Sequence, residues 1–422
     1  MQVITADLVL AGAGLDPIDH GAVLVDGATI AWVGRQADLA PDRSPADTPT
    51  VALGPVTVLP GLIDCHVHLA FDGGTGPVAR MRAENDARQV ALMLRSARQL
   101  LSVGVTTARD LGSRDYLGVD VREAIADGTV RGPRLLTAGA PLTVTGGHCW
   151  FMGAEADTED EIRRLVRRHH KNGVDLIKVM STGGFMTEGS APWFAQFETA
   201  QLRAIVDEAH RVGKRVAAHA HGVVGIERAL DAGVDTLEHC SFVHPDGRHA
   251  VVPELADRIA ASEAYVSPTW NLRLPDFQEW FPEREYPLAE LHRRGARIVA
   301  STDAGIDLVP HHGFVGSLEA MHASGMPTAE VLTAATTRAA AALGLTGTTG
   351  ALTAGLAADL IAVGGDPRTD LAALHDLRLV LAAGVPFEPD PLPEIRPLTR
   401  ADIPAFALVD GPTEGAPRLR SS

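Results

Sequence analysis

Cysteine is scarce. Three residues in 422, Cys65, Cys149 and Cys240, make an odd count with no CxxC spacing. That usage argues against a disulfide framework and fits a reduced, cytoplasmic compartment. Long apolar runs are also missing, so no stretch is expected to span a bilayer. The opening MQVITADLVLAGAG lacks a basic flank and alternates like a strand, and no secretory signal is expected. Positive charge is in deficit: 37 Lys and Arg face 53 Asp and Glu, a net charge of −16 with histidines neutral. This balance opposes non-specific binding to nucleic acid or to anionic membranes. What is present is ordinary for a globular enzyme, with 45% hydrophobic and 21% charged residues, enough for a large core.

The pattern of elements changes along the chain. Residues 2–58 contain short β-like runs (VITADLVL, AVLVDG, TIAWVG, TVALG) broken by Gly, Asp and Pro, the signature of hairpins. From residue 59 apolar runs alternate with amphipathic helical stretches. The expected strands are VTVLPGLIDCHVH, VTTARD, RLLTAG, LIKVM, RVAAHAH, TLEHC, AYVSPT and IVASTDA. Eight strands alternating with helices read as an α/β fold, a (β/α)8 TIM barrel, over residues 59–345. Residues 1–58 and 346–385 are expected to form a small β-sandwich domain from both termini, and 386–422 an extended tail.

Residues of metal-ligand type cluster where strands end, the catalytic mouth of such a barrel. His66 and His68 lie two apart in GLIDCHVH, so a strand points both imidazoles the same way. Lys178 closes LIKVM, His219 and His221 sit in AHAHG, His239 in TLEHC, and Asp303 in STDAG. A lysine ending a buried strand is costly unless paired with an acid or modified. Burial lowers its pKa and favours addition of CO2, giving a carboxylate able to bind two metals. Of His219 and His221, the first is the better ligand and the second the better substrate contact. Asp303 can bind metal and act as a general acid–base; its structural alternative is a helix N-cap. His148, in a Gly-rich loop, either clamps a substrate carbonyl or is a loop histidine. Arg109 and Asp110 are read as an ion pair, and Trp150, Trp193 and Trp270 as packing residues near loops. His169, His170 and His210, in helical stretches, are expected to be solvated.

With these residues in hand, the chain resembles the amidohydrolase superfamily, within it the binuclear imidazolonepropionase-like or prolidase-like group. The shared motifs run from about residue 3 to 370: a Gly27–Gly34 element, PGLID-x-H-x-H, TT-x-RD-x-G, GGH, IK-x-M-x-x-GG, AHAHG, EH, TDAG and G-x-x-AD-L. The resemblance implies that His66, His68, Asp303 and carboxylated Lys178 bind one divalent ion. His219, His239 and the same lysine would bind a second, with zinc the default. Imidazolonepropionases themselves use one metal and no bridging lysine, and prolidase-like members carry a tyrosine where this chain has His221.

The function implied is hydrolysis of an amide, cyclic amide or carbamate C–N bond, or an ester, of a small molecule by a metal-bridging hydroxide. Asp303 would move the proton; His148 or His221 would hold the substrate or oxyanion. The alternatives are a mononuclear aminohydrolase or imidazolonepropionase-type ring hydrolase, and a prolidase-like dipeptidase. A deaminase would place a Glu shortly after the fifth-strand histidine, where this chain has Ala220, His221 and Gly222. No nucleic-acid or membrane partner is expected; a homo-oligomer is.

Overall fold

The computed structural model describes residues 1–45 and 47–402. Its chain divides into two compact units. One comprises Met1–Gly139, Thr269–Leu272 and Ile298–Ile395; the other comprises Ala140–Pro268, Arg273–Arg297 and the segment from Arg396.

The first unit contains an eight-stranded sheet built from both ends of the chain. Its order is Val385–Phe387, Leu377–Ala382, Leu360–Gly364, Val56–Pro60, Gln2–Ala11, Asp16–Asp26, Thr29–Arg35, with Thr50–Ala52 also paired to Gln2–Ala11. Alternation along the first hairpin places Ile4, Ala6, Val23 and Val25 on one face, where they pack with Ile30, Val58, Leu360 and Leu381. The remaining strands of this unit, Leu62–Val67, Val105–Asp110 and Arg134–Thr137, are parallel. Helix Asp86–Leu101 separates the first two; the Asn85 side chain caps its start, and Leu92, Met93, Ala97, Leu100 and Leu101 form its buried stripe.

The run VTVLPGLIDCHVH, expected as one strand, is two. Val56–Pro60 joins the terminal sheet and Leu62–Val67 the parallel one. Gly61 lies at the break, and a side-chain carbon there would collide with Thr106, so only glycine lets the chain pass between sheets. Around Asp303, regular strand is confined to Arg297–Ile298. The segment beyond it still aligns with Leu62–Val67, through Cys65 N to Ala300 O (3.0 Å), Asp303 N to His66 O (2.8 Å) and His68 N to Ala304 O (2.7 Å).

In the second unit Leu176–Met180, Arg215–Gly222, Thr236–Val243 and Tyr265–Ser267 run parallel, alternating with helices Glu159–Lys171, Thr199–Arg211, Val223–Ala232 and Pro253–Ala261. Helix Glu159–Lys171 shows why such segments are helical. Thr158 and Glu161 close a capping box, acids fill its first turn and bases its last, satisfying free amides and complementing the dipole. A register shift between Ala220 and Gly222, opposite His239 and Val243, disturbs the ladder where histidines cluster.

Two expectations are corrected here. His169 is buried, not solvated: its Nε2 lies 2.7 Å from the Ala140 carbonyl oxygen and its Nδ1 3.1 Å from that of Leu165. His170 and His210 are exposed. Arg109 and Asp110 also diverge, as neighbours on a strand must. Arg109 Nε donates to the Cys65 carbonyl (2.6 Å), while Asp110 accepts from Leu69 N (3.0 Å) and Thr137 Oγ1 (3.3 Å). Of the expected tail, residues 388–399 carry no regular structure and Arg400–Asp402 is a short 3-10 turn; residues 403–422 lie outside the described ones. Asp390 is anchored by Arg98 at 2.6 and 2.8 Å.

Candidate metal centre

In the first unit, His66 and His68 converge on Asp303. The two Nε2 atoms stand 3.4 Å apart, and Asp303 Oδ1 lies 3.3 Å from the first and 3.2 Å from the second. Ligands 2.0–2.1 Å from a tetrahedral cation are separated from one another by about 3.3 Å. The triangle therefore has the dimensions of one face of a zinc coordination shell. Burial supports that use: His66 is fully buried and His68 nearly so. The other ring nitrogen of His68 faces the Gly112 carbonyl at 3.4 Å, the kind of second contact that orients a ligating imidazole. Asp303 itself has φ +61°, a left-handed conformation that non-glycine residues hold only under constraint.

Two carboxyls lie close by. Burial pushes Asp64 up to about 7, against opposing hydrogen bonds from Thr302 and His66. Asp110 is pushed up to about 6, again by burial, with His68 drawing it down. A cation bound at the neighbouring triangle would lower both.

In the second unit, His219, His221 and His239 form one cluster, each offering a ring nitrogen within 4.8 Å of the others. His219 is central, with ring centroids 4.5 Å from His239, 4.6 Å from His221 and 4.7 Å from His148. Burial, then the neighbouring His239, His221, His148 and Lys178, hold His219 well below the ordinary imidazole range. Neutral imidazole is the ligating form. His239 has φ +65°, so both His239 and Asp303 are presented from strained backbone. Lys178 is 1% exposed on Leu176–Met180, beside Ala217 of the His219 strand. His148 fits against Gly184, where an added carbon would fall 2.5 Å from its Nε2.

All eight residues singled out in the sequence thus fall into two groups: His66, His68 and Asp303 in one unit, His148, Lys178, His219, His221 and His239 in the other. Trp270 is core, its indole nitrogen 3.0 Å from Ser324 Oγ; Trp150 is partly exposed at 39%. Sequence reasoning missed three contacts. Ser241 Oγ lies 2.9 Å from His221 Nδ1, and Phe185 packs edge-on against His221 at 5.2 Å. The third is Asp64, two residues before His66 and so on the same face.

The profile of the amidohydrolase family matches residues 57–403. The chain belongs to the amidohydrolase family. It is 31% identical to ochratoxinase from Aspergillus niger over 420 residues, covering 90% of this chain and 84% of that one. Imidazolonepropionase from Paracoccus denitrificans is 28% identical over 393 residues, covering 85% and 91%. Among solved structures, a Xaa-Pro dipeptidase superposes with a TM-score of 0.80 at 26% identity, covering 92% of this chain and 99% of that one. The fold class expected from the sequence, a (β/α)8 barrel with a β-rich terminal domain, agrees with these likenesses, and the amidohydrolase is a hydrolytic enzyme.

Proposed function

We propose that this amidohydrolase is a metal-dependent hydrolase of a C–N bond, amide, cyclic amide or carbamate, in a small molecule. The supporting observation is the His66–His68–Asp303 triangle, whose 3.2–3.4 Å edges match one face of a zinc shell. These three residues would hold one divalent ion and His219 and His239 a second. Lys178, carboxylated, is proposed as the ligand common to both, on the strength of its burial and the sequence resemblance. When bound, such ions supply Lewis acidity toward the scissile carbonyl and hydroxide near neutral pH.

The protein's own part follows from its residues. Asp303 accepts the proton of the attacking water and returns it to the departing nitrogen, leaving an acid and an amine. His221, its Nδ1 held at 2.9 Å by Ser241, is oriented to donate to the carbonyl oxygen as negative charge develops there. His148 is proposed as a second such contact. Phe185, packed on His221, gives that side of the site an apolar wall suited to an aromatic or bulky substituent.

The test combines metal analysis with a substrate panel: N-acyl amino acids, dipeptides, lactams, carbamates and, because of the fungal relative, ochratoxin. The expected result is about two equivalents of metal and hydrolysis of one C–N class that chelation abolishes. One equivalent would favour the mononuclear alternative. Equal hydrolysis by fully metal-free protein would refute the proposal.

A further inference from the structure

The mechanism above gives Asp64 nothing to do, yet its side chain is wholly buried beside the His66–His68–Asp303 triangle. Its contacts are specific. Oδ1 accepts from His66 N at 3.1 Å and from Thr302 N at 3.2 Å, and Oδ2 accepts from Thr302 Oγ1 at 2.6 Å. Thr302 Oγ1 in turn accepts from Ala304 N at 3.0 Å. One carboxylate therefore ties the His66 strand to the residue immediately before Asp303, and the same hydroxyl ties the residue immediately after.

Asp303 sits between these two anchors in its left-handed conformation. Such backbone is costly for a non-glycine residue and persists only where the surroundings over-determine it. Released, the segment would relax toward ordinary φ, turning the Asp303 carboxylate away from the two imidazoles. What Asp64 fixes is the frame from which the third member of the triangle is presented.

We propose that Asp64 is a positioning residue: through Thr302 it holds the strained backbone of Asp303, and so sets the geometry of the His66–His68–Asp303 triangle. The inference rests on reading that triangle as a metal site. It extends to a sequence rule for this chain, in which Asp64, His66 and His68 share one strand face with separate duties, one structural and two ligating.

Three variants test it: Asp64→Asn, Thr302→Val, which keeps shape but loses the hydroxyl, and Thr302→Ser, which keeps the hydroxyl. Zinc affinity is measured by chelator competition, and backbone constraint by hydrogen exchange of the 299–306 amides in metal-free protein. The inference expects Asp64→Asn and Thr302→Val to weaken zinc binding about tenfold or more, and to speed exchange at Asp303 and Ala304. Thr302→Ser should stay within about twofold of wild type on both counts, and kcat should fall in the first two with KM little changed. Wild-type zinc affinity and exchange in both Asp64→Asn and Thr302→Val would overturn it. Should Asp64→Asn fail to fold, the Val and Ser pair decides alone. A wild-type protein that takes up no zinc would refute the metal-centre reading instead, and the exchange comparison would then judge the Asp64 role by itself.

Discussion

His219 donates its Nε2 hydrogen to the carbonyl of Gly183, 2.9 Å away. A carbonyl only accepts, so this contact fixes the tautomer and leaves Nδ1 with a lone pair. A hydrogen-bonded, oriented imidazole of this kind is the usual form of a metal-bound histidine. His219→Ala should therefore lower bound metal from about two equivalents to about one, with kcat reduced at least about a hundredfold. Plasma emission analysis of dialysed protein reads the first effect directly, and retention of both equivalents would remove His219 from the ligand set.

Lys178 presents a different case, because its proposed role depends on a reaction with CO2. Lys178→Ala should abolish hydrolysis, and millimolar short carboxylic acids should restore a measurable part of it by occupying the vacated space. Lys178→Met fills that space with an apolar chain and should resist rescue. A carbamate carbon in NMR spectra of protein prepared in 13C-bicarbonate, absent from both variants, would provide the spectroscopic check.

Gly184→Ala separates His148 from the metal question. The new methyl carbon would lie 2.5 Å from His148 Nε2, closer than van der Waals contact permits, so the ring must move. Metal content should be unchanged while kcat falls about tenfold, the scale of a displaced substrate contact. A proportional loss of metal would instead make His148 part of the ligand shell.

Protonation should couple to stability through His169. Burial lowers its pKa below the ordinary 6.5, so the folded protein keeps it neutral while the unfolded chain takes up a proton near pH 6.5. Unfolding then binds protons, and this contribution to stability is present above about pH 6.5 and declines as pH falls below it. Urea midpoints of metal-free protein at about pH 7.5 and 5.5 should drop more for wild type than for His169→Gln. Equal drops would show that His169 is not the titrating group.

Much of this architecture was legible in the sequence because strand periodicity is short and exact. His66 and His68, His219 and His221 could be paired by counting in twos, and the order of strands and helices followed from alternating patterns. Asp64 obeys the same count, but its role depends on Thr302, 238 positions away in the chain. His169 could also have been placed: with Ile162, Leu165 and Val166 it completes the i, i+3, i+4, i+7 stripe of its helix, but polarity suggested solvent. The break at Gly61 was invisible, since it depends on Thr106, forty-five positions away in the chain. Nor can a sequence show that Asp303 and His239 adopt positive φ, because the constraint is imposed by neighbours brought together only in the fold. Phe185 lies in a loop, where no period announces a contact.

The pairing of Val56–Pro60 with Leu360–Gly364 also governs how the protein is made. At synthesis rates of about 5–20 residues per second, some 15–60 s pass before the later strand leaves the ribosome. Through that interval the opening hairpin can form on its own, but its neighbour carries an open edge of unsatisfied amides and carbonyls. The nascent amidohydrolase thus carries this open edge until Leu360–Gly364, some 300 residues after Pro60, emerges to cover it.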